Sequence, residues 1–433
     1  MSAVSAASPI VRRGGTTDPA HDERLRRGIL ATDVSRPVAW LLTLLFLCAI
    51  YALPLSQAYL EKREGEESSL AELFKRAPTA EHLRQVEKGI EEASYAKAWV
   101  QPRAQLWLTQ VGRVGNKLAV VGRNGWLYYT PGVLHVAGPG FLDPATQRSR
   151  EKDALDAGQE AVHADPVAAI LAFQRALAQR GARLVLLPMP DKAALEPASL
   201  DGRPGLSSVP AQNVDYERFL DQLRKLGITL FDARQGLPAH EQRALYLIQD
   251  THFAPEFMEH IARNLAKMVD SLGVLPPVAA APLLHAVEQP AARLGDLVDM
   301  LKLPEEQRLF QPQQVLVHQV QDEQGEAWEP DPNADVLLLG DSFTNIFSLE
   351  GMGWGSSSGL APQLALSLRR PIDVIARNDS GAFATREALS RELQAGQDRL
   401  AGKRVVIWEF ASRELSVGDW KPVQFPTPLA EVK

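Results

Sequence analysis

The stretch DVLLLGDSFTNIFS, residues 335–348, passes from an apolar run into a Gly-Asp-Ser corner. Val336 to Leu339 has strand length and Gly340 breaks it, which is the pattern of a short buried strand followed by a turn. Open α/β sheets place their chemistry at the carboxyl ends of strands, and Ser342 would stand at such an end. Gly-Asp-Ser is equally ordinary turn and N-cap chemistry. The corner alone therefore reads either as a nucleophile or as a small residue that ends a strand.

The surrounding chain repeats the same theme. Asp165-Pro166 supplies an N-cap and a first-turn proline, Val167, Ile170, Leu171 and Leu177 share a face, and Gly181 closes the helix. ARLVLLPMP (182–190) then reads as a strand. Helix 215–226, a stop at Gly227 and strand ITLF form a second unit, and residues 255–272 form a further helix begun by Pro255. A Pro/Ala-rich passage, 274–292, reads as a surface connection. Strand 335–340 leads through a segment to 369, then strand 372–376, helix 383–400 and strand RVVIWEF. Such alternation implies a mostly parallel sheet covered by helices. Upstream, LAVVGRNGWLYYTPGV (118–133) alternates around Asn124-Gly125, a strong hairpin signal.

At 433 residues, 45% apolar and 23% charged, the chain has ordinary globular composition and length for a substantial core. A net charge of −7 and no basic stripe with interleaved aromatics argue against nucleic acid as a partner. The only cysteine, Cys48, lies in an apolar segment, so the folded part holds no disulfide, cysteine-based zinc site or thiol nucleophile.

That segment, VAWLLTLLFLCAIYALPLSQAYL (38–60), opens with sixteen uncharged, almost wholly apolar residues before Pro54. With its continuation to Leu60 it reaches the ~20 residues a spanning helix needs. Six arginines and four acids precede it, and EKREGEE follows with four Glu against two basic residues. The arginine bias keeps the N-terminus inside and sends the bulk of the chain out. Ser56-Gln57-Ala58 resembles a cleavage site, but a 37-residue leader is long for a signal peptide, and an uncleaved anchor is the reading adopted.

A serine hydroxyl needs a base, and the base needs an orienting acceptor. Of nine histidines, His252 stands out, in YLIQDTHFAPEF (246–257), with Asp250 two residues before it and a helix start just after. On a loop at the sheet's edge, Asp250 would accept from one ring nitrogen while the other takes the serine proton. The alternative is a capping Asp beside a surface His. A metal site of Asp250, His252 and Asp341 lacks HExxH, paired-His or multi-carboxylate spacing. No phosphate-binding loop and no dinucleotide fingerprint are present, so no metal and no cofactor are expected. Lys192, in PMPDK, reads as a solvated lysine after a strand.

GDSF (340–343), DTHF (250–253) and the hairpin GRNGWLYY (122–129) together resemble the alginate O-acetyltransferase family, the AlgJ/AlgX-like group with an SGNH-hydrolase-like domain. LLPMPDK (186–192), RLGDLVDML (293–301) and VVIWEFASREL (405–415) extend the likeness over roughly residues 110–420, in the expected order. The resemblance implies a Ser-His-Asp triad, carried here by Ser342, His252 and Asp250. It also implies a circularly permuted SGNH order, since the Asp-His block precedes the serine block. The family's usual DTHW reads DTHF, one aromatic for another at Phe253. No carbohydrate-binding module is expected after residue 420, which is the pattern of membrane-anchored, single-domain members.

The resulting expectation is an α/β, SGNH-hydrolase-like, mostly parallel sheet flanked by helices and preceded by one transmembrane helix. The parts are a cytoplasmic tail (1–37), an anchor (38–60), a stalk or helical subregion (61–115) and the acetyltransferase domain (116–433). Anchored in the inner membrane with its domain in the periplasm, the protein would acetylate hydroxyls of an exported polysaccharide through an acetyl-serine. A membrane-bound O-acyltransferase would supply the acetyl group, alongside other exopolysaccharide export proteins. The Ser342 N–H is the first oxyanion donor, and Asn378 and Arg413, each just after a strand, are candidates for the second. A carbohydrate acetyl esterase and a non-catalytic component of an export complex are the competing classes.

The arginine bias generates a direct test. A reporter that works only outside the cytoplasm, fused after Lys433, should be active, and the extracted protein should still carry residues before Val38. Cytoplasmic reporter activity would overturn the orientation, and a mature start near Tyr59 would replace the anchor with a signal peptide.

Overall fold

In the computed structural model, residues 35–201, 211–237, 244–278, 282–378 and 381–426 are described. The proposed cytoplasmic tail therefore falls, up to residue 34, outside the described residues. The chain divides into two compact units, up to Gln101 and from Pro102 onward.

The first unit is helical. Its leading helix, Arg36–Glu64, runs unbroken through Pro54 and ends at Gly65. It is long and apolar enough to cross a membrane, with a mean hydropathy of 2.3 over its most apolar window. Near its end the buried Gln57 donates to Ala93 O at 2.7 Å and accepts from Tyr95 N at 2.9 Å. These bonds satisfy groups at the junction of helix Ala80–Ala93 and helix Tyr95–Gly112.

Among the described residues, the second unit holds nine strands: β1 (Ala119–Val121), β2 (Leu127–Tyr129), β3 (Arg183–Met189), β4 (Thr229–Leu230), β5 (His285–Arg293), β6 (Gln313–Gln321), β7 (Val336–Gly340), β8 (Asp373–Ala376) and β9 (Val405–Ala411). Five of them form the central sheet in the order β4-β3-β9-β7-β8, with every pairing parallel. Successive strand residues point to opposite faces. Val185, Leu187, Val336, Leu338, Val405 and Ile407 accordingly enter one core with helices Pro255–Ser271 and Leu360–Leu368. Leu184, Leu186, Leu337, Leu339, Val406 and Trp408 enter the other, beneath helices Pro166–Ala178, Tyr216–Lys225 and Ala384–Gln394. Burial on both faces explains why these strands read as continuous apolar runs. The chain winds outward from β3 to β4, then crosses to β7 and β8, and returns to the middle with β9. The carboxyl ends of β3, β9 and β7 thus meet where the winding changes direction, the place such sheets reserve for ligands.

The β1–β2 hairpin forms around Asn124 and Gly125, both with positive φ (53° and 80°), and Trp126 N closes the turn on Arg123 O at 3.0 Å. The passage read as a surface connection is only partly one: from His285 it is β5, paired antiparallel over nine residues with β6. Pro290 and the run of alanines hide this strand from propensity, and most of its side chains are exposed. The helix expected over 383–400 ends at Gln394, where Gly396 adopts φ 83°.

Lys192 corrects the sequence reading more sharply. It is buried, 4% exposed, and its Nζ donates to Leu127 O, Ile248 O and Asp250 O at 2.6, 2.8 and 3.1 Å. Burial pulls its pKa down to about 7, yet three carbonyl acceptors are matched only by the three N–H bonds of the ammonium. The ammonium also lies 5.0 Å from the centre of the Trp126 ring. One side chain after β3 thereby ties the hairpin to the loop that carries Asp250. Replacing it, Lys192→Met, leaves three buried carbonyls without a charged donor and should lower the unfolding free energy by ~3 kcal/mol or more. Chemical denaturation of the full-length protein measures this, and a loss below ~1 kcal/mol would show that the staple is not structural.

Candidate active site

Ser342 opens a short helix, Ser342–Asn345, directly after β7. Asp341 caps that helix through Oδ1, which accepts from Phe343 N at 2.8 Å, while its Oδ2 accepts from Ala411 N at 2.9 Å. As the first helical residue, Ser342 carries an N–H with no intrahelical acceptor. Beneath this corner the buried Glu409 accepts from Asp341 N at 2.9 Å and from Thr344 Oγ1 at 3.0 Å. Burial, and then the neighbouring Asp341 charge, hold the Glu409 carboxyl well above the usual range. The corner is held by the Glu409 side chain and the Ala411 N–H of β9 as well as by its own turn.

Asp250 and His252 sit at the tip of a loop whose sides are tied by Leu247 N to His252 O (3.1 Å) and Ala254 N to Leu245 O (2.8 Å). The loop faces the corner. His252 Nε2 lies 2.8 Å from Ser342 Oγ, and His252 Nδ1 lies 2.6 Å from Asp250 Oδ1. His252 is 3% exposed and Asp250 1%. The imidazole packs edge-on against Phe343, ring centres 4.8 Å apart, and Phe253 packs edge-on on the same ring at 5.1 Å. The aromatic at 253 thus supports the ring next to the histidine.

Asp250 accepts more than one bond. Its Oδ1 also takes His252 N at 3.1 Å, and its Oδ2 takes Asp296 N at 3.1 Å and Trp354 Nε1 at 3.0 Å. Burial alone would raise this carboxyl, but the His252 bond and the other donors outweigh it and hold the group down at about 2. Burial likewise opposes the imidazolium, and the Asp250 bond and charge overcome it, so His252 is raised above its ordinary value. Asp296 is pushed up to about 6, by burial first and then by the charge of Asp250.

Asp250, His252 and Asp296 are close enough to suggest a metal cluster. Both ring nitrogens of His252 are already engaged, with Asp250 and Ser342, and Asp341 is spent on backbone N–H groups. The metal set considered from the sequence is therefore not assembled. Asn378 and Arg413 both line the cavity at Ser342, of about 230 Å³, together with Tyr129, Arg377 and Glu414. Their environments differ. Asn378 Oδ1 accepts from Asn345 at 2.7 Å, whereas the Arg413 guanidinium sits over the Tyr129 ring at 5.1 Å and contacts Asp191 Oδ1 at 3.4 Å. A larger cavity, about 550 Å³, lies beside Arg183, Thr229 and Arg404, at the opposite strand ends. Its size does not mark the chemistry.

Sequence reasoning missed four contributors. Trp354 and Asp296 N hold Asp250, and Gly295 permits the approach, since a Cβ there would lie 2.1 Å from Gln249 O. Glu409 was hidden inside an apolar strand. The run RLGDL held a visible signal, a glycine beside an acid, but nothing local says which loop it meets.

Three findings place the chain among known proteins. The family model described as SGNH hydrolase-like domain, acetyltransferase AlgX matches residues 119–412. A Pseudomonas aeruginosa protein named probable alginate O-acetylase AlgJ is 27% identical over 339 residues, 75% of this chain and 78% of the relative. The O-acetyltransferase domain of Pseudomonas putida AlgJ superposes with a TM-score of 0.50 at 22% identity, over 70% of this chain and 93% of that domain.

The raised His252 has a measurable consequence. Its folded pKa exceeds the unfolded value, so its contribution to stability is complete below about 6.5 and is lost as pH rises through the folded pKa. Histidine NMR should show this ring titrating above about 6.5, and Asp250→Asn should move it down. An unmoved midpoint in the Asn variant would show that Asp250 does not set the charge of the ring.

Proposed function

The chain belongs to the SGNH hydrolase-like acetyltransferase AlgX family, and we propose that its Ser342, His252 and Asp250 are the triad that moves acetyl groups onto polysaccharide hydroxyls. The protein is an O-acetyltransferase acting on polysaccharide, and an alginate-like exported polymer is its acceptor. The observation that carries the reading is the continuous chain from Asp250 to His252 to Ser342, at 2.6 and 2.8 Å.

Ser342 Oγ attacks the donor's acetyl carbonyl as His252 Nε2 takes its proton. The tetrahedral oxyanion forms at the helix start, where the Ser342 N–H is available and Asn378 or Arg413 adds a second donor. Collapse expels the donor's leaving group, which takes the proton from His252, and leaves acetyl-Ser342. A sugar hydroxyl then gives its proton to His252, attacks the ester and departs acetylated, and the proton returns to Ser342 Oγ. Throughout, Asp250 holds the Nδ1 proton and stabilises the transient imidazolium.

The apolar helix Arg36–Glu64 supports an anchor, and we place the catalytic domain on the periplasmic side of the inner membrane. Acetyl-CoA is confined to the cytoplasm, so the donor is a membrane-bound O-acyltransferase that passes acetyl outward, and the anchor keeps this domain beside it.

The wild-type protein, purified with its helix in detergent, should move acetyl from a small activated ester onto alginate oligosaccharides faster than onto water, because a bound hydroxyl has a large proximity advantage. Water as the preferred acceptor at every oligosaccharide concentration would make the protein an esterase. Asp250→Asn should keep the fold and reduce the rate by about 10³–10⁴, as wrong-tautomer substitutions do. A near-wild-type rate would remove Asp250 from the triad.

A further inference from the structure

The triad leaves one neighbouring carboxyl group without a task. Asp296 is the first residue of helix Asp296–Leu301, and its backbone and side chain make separate contacts. The backbone N–H donates to Asp250 Oδ2 at 3.1 Å. In the side chain, Oδ1 accepts from Thr251 N at 2.7 Å, and Oδ2 stands 4.0 Å from His252 Nδ1. Two carboxyl groups therefore approach the same ring nitrogen, Asp250 at 2.6 Å through a hydrogen bond and Asp296 at 4.0 Å without one. The longer distance is beyond a hydrogen bond, but a charge there still acts on the ring. The approach is fixed by the backbone, since Leu297 N donates to Gln249 O at 3.3 Å.

The two acids are met differently. The Asp250 side chain is 2% exposed and its oxygens take four N–H donors, whereas the Asp296 side chain is 29% exposed. The charged groups around them come from three directions. Asp250 and His252 face Asp296 from the loop. Lys192, just after β3, attracts it, although the ammonium bonds the Asp250 carbonyl and not a carboxylate. Arg413, just after β9, opposes the imidazolium of His252. Burial, and then the Asp250 charge, put the Asp296 carboxyl at about 6, so it becomes charged close to the range in which a histidine titrates. A negative charge at Asp296 favours the imidazolium, and ionisation of Asp296 therefore makes His252 the stronger base.

We propose that Asp296 is a positioning residue of the acyl transfer, a second carboxylate that acts on His252 through space and sets its strength as a base. The proposal rests on the acetyltransferase reading. Asp250 fixes the tautomer and direction of the ring, and Asp296 adds charge without taking the Nδ1 proton. No bond is made or broken at Asp296. The proton of Ser342 Oγ, or later of the sugar hydroxyl, goes to His252 Nε2, and the Nδ1 proton stays between His252 and Asp250. Each transfer creates an imidazolium, which a second anion stabilises. Below about pH 6 Asp296 is neutral and this support is withdrawn; above it the support is restored.

Asp296→Asn isolates the charge, because its amide oxygen still accepts from Thr251 N and its backbone still donates to Asp250. Histidine NMR of the full-length protein in detergent follows the His252 ring directly. In wild type the ring should respond in two steps, a smaller one near pH 6 as Asp296 ionises and a larger one as the imidazolium loses its proton. In the Asn variant the smaller step should vanish and the larger should move down by about one pH unit, the effect of one charge at this distance. Burst release of the leaving group from a small activated acetyl ester, measured without acceptor, reports the chemistry. Its acid limb should move down with the ring, and its plateau should fall about threefold because the base is weaker. A wild type with no burst overturns the acetyltransferase reading and the catalytic role with it. A normal burst, with the titration of His252 unmoved in a folded Asn variant, overturns the role of Asp296 alone and leaves it a clamp on Thr251. Should the Asn variant not fold, the wild-type titration decides: two steps support the proposal, and a single step overturns it.

Discussion

The Asp250 carboxylate is the constraint on which the site turns. It is buried, and it accepts from His252 N, His252 Nδ1, Asp296 N and Trp354 Nε1. A buried charge persists only when its acceptor capacity is met, and a carboxylate has room for about these bonds. These donors come from three parts of the chain, so satisfying one acid draws three segments together. The Lys192 ammonium bonds the carbonyl of the same residue and carries the constraint onward to β3 and the β1–β2 hairpin. The histidine is thereby held before any substrate arrives, which is the preorganisation that acyl transfer needs.

The sheet meets this loop from the other side. Alternation divides β3, β7 and β9 between two cores, so their rigid carboxyl ends become the platform for Ser342, Arg413 and Lys192. Glu409 is the exception in an otherwise apolar strand, and it supports the corner that presents Ser342. Two buried acids thus differ. Asp250 is kept charged by its donors, while burial and the Asp341 charge push Glu409 toward its neutral form, and its Oε1 atom meets no partner.

Much of this is legible in the sequence, for physical reasons. Central parallel strands are buried on both faces, so VLLLG and VVIWEF announce themselves as apolar runs. Ser342 stands out because Gly340 breaks one run, and Asp250-His252 because its spacing lets one loop present both groups. Local patterns speak for local structure. Trp354 and Gly295 act only through a partner far along the chain, and no periodicity reports that. Lys192 looked solvated because a lysine after a strand is ordinarily so; only three converging carbonyls make it a buried staple. β5 was concealed by alanines and a proline, since an exposed edge ribbon needs little apolar character.

The central claim is that Ser342 carries the acetyl group between donor and sugar. The most direct measurement is peptide mass spectrometry of the full-length protein, quenched with acid during turnover of a small activated acetyl ester. The account predicts one added acetyl group on the peptide containing Ser342, discharged when alginate oligosaccharides are added before the quench and absent in Ser342→Ala. An unmodified Ser342 peptide during turnover, or an Ala variant that still transfers acetyl to sugar at the wild-type rate, would contradict it.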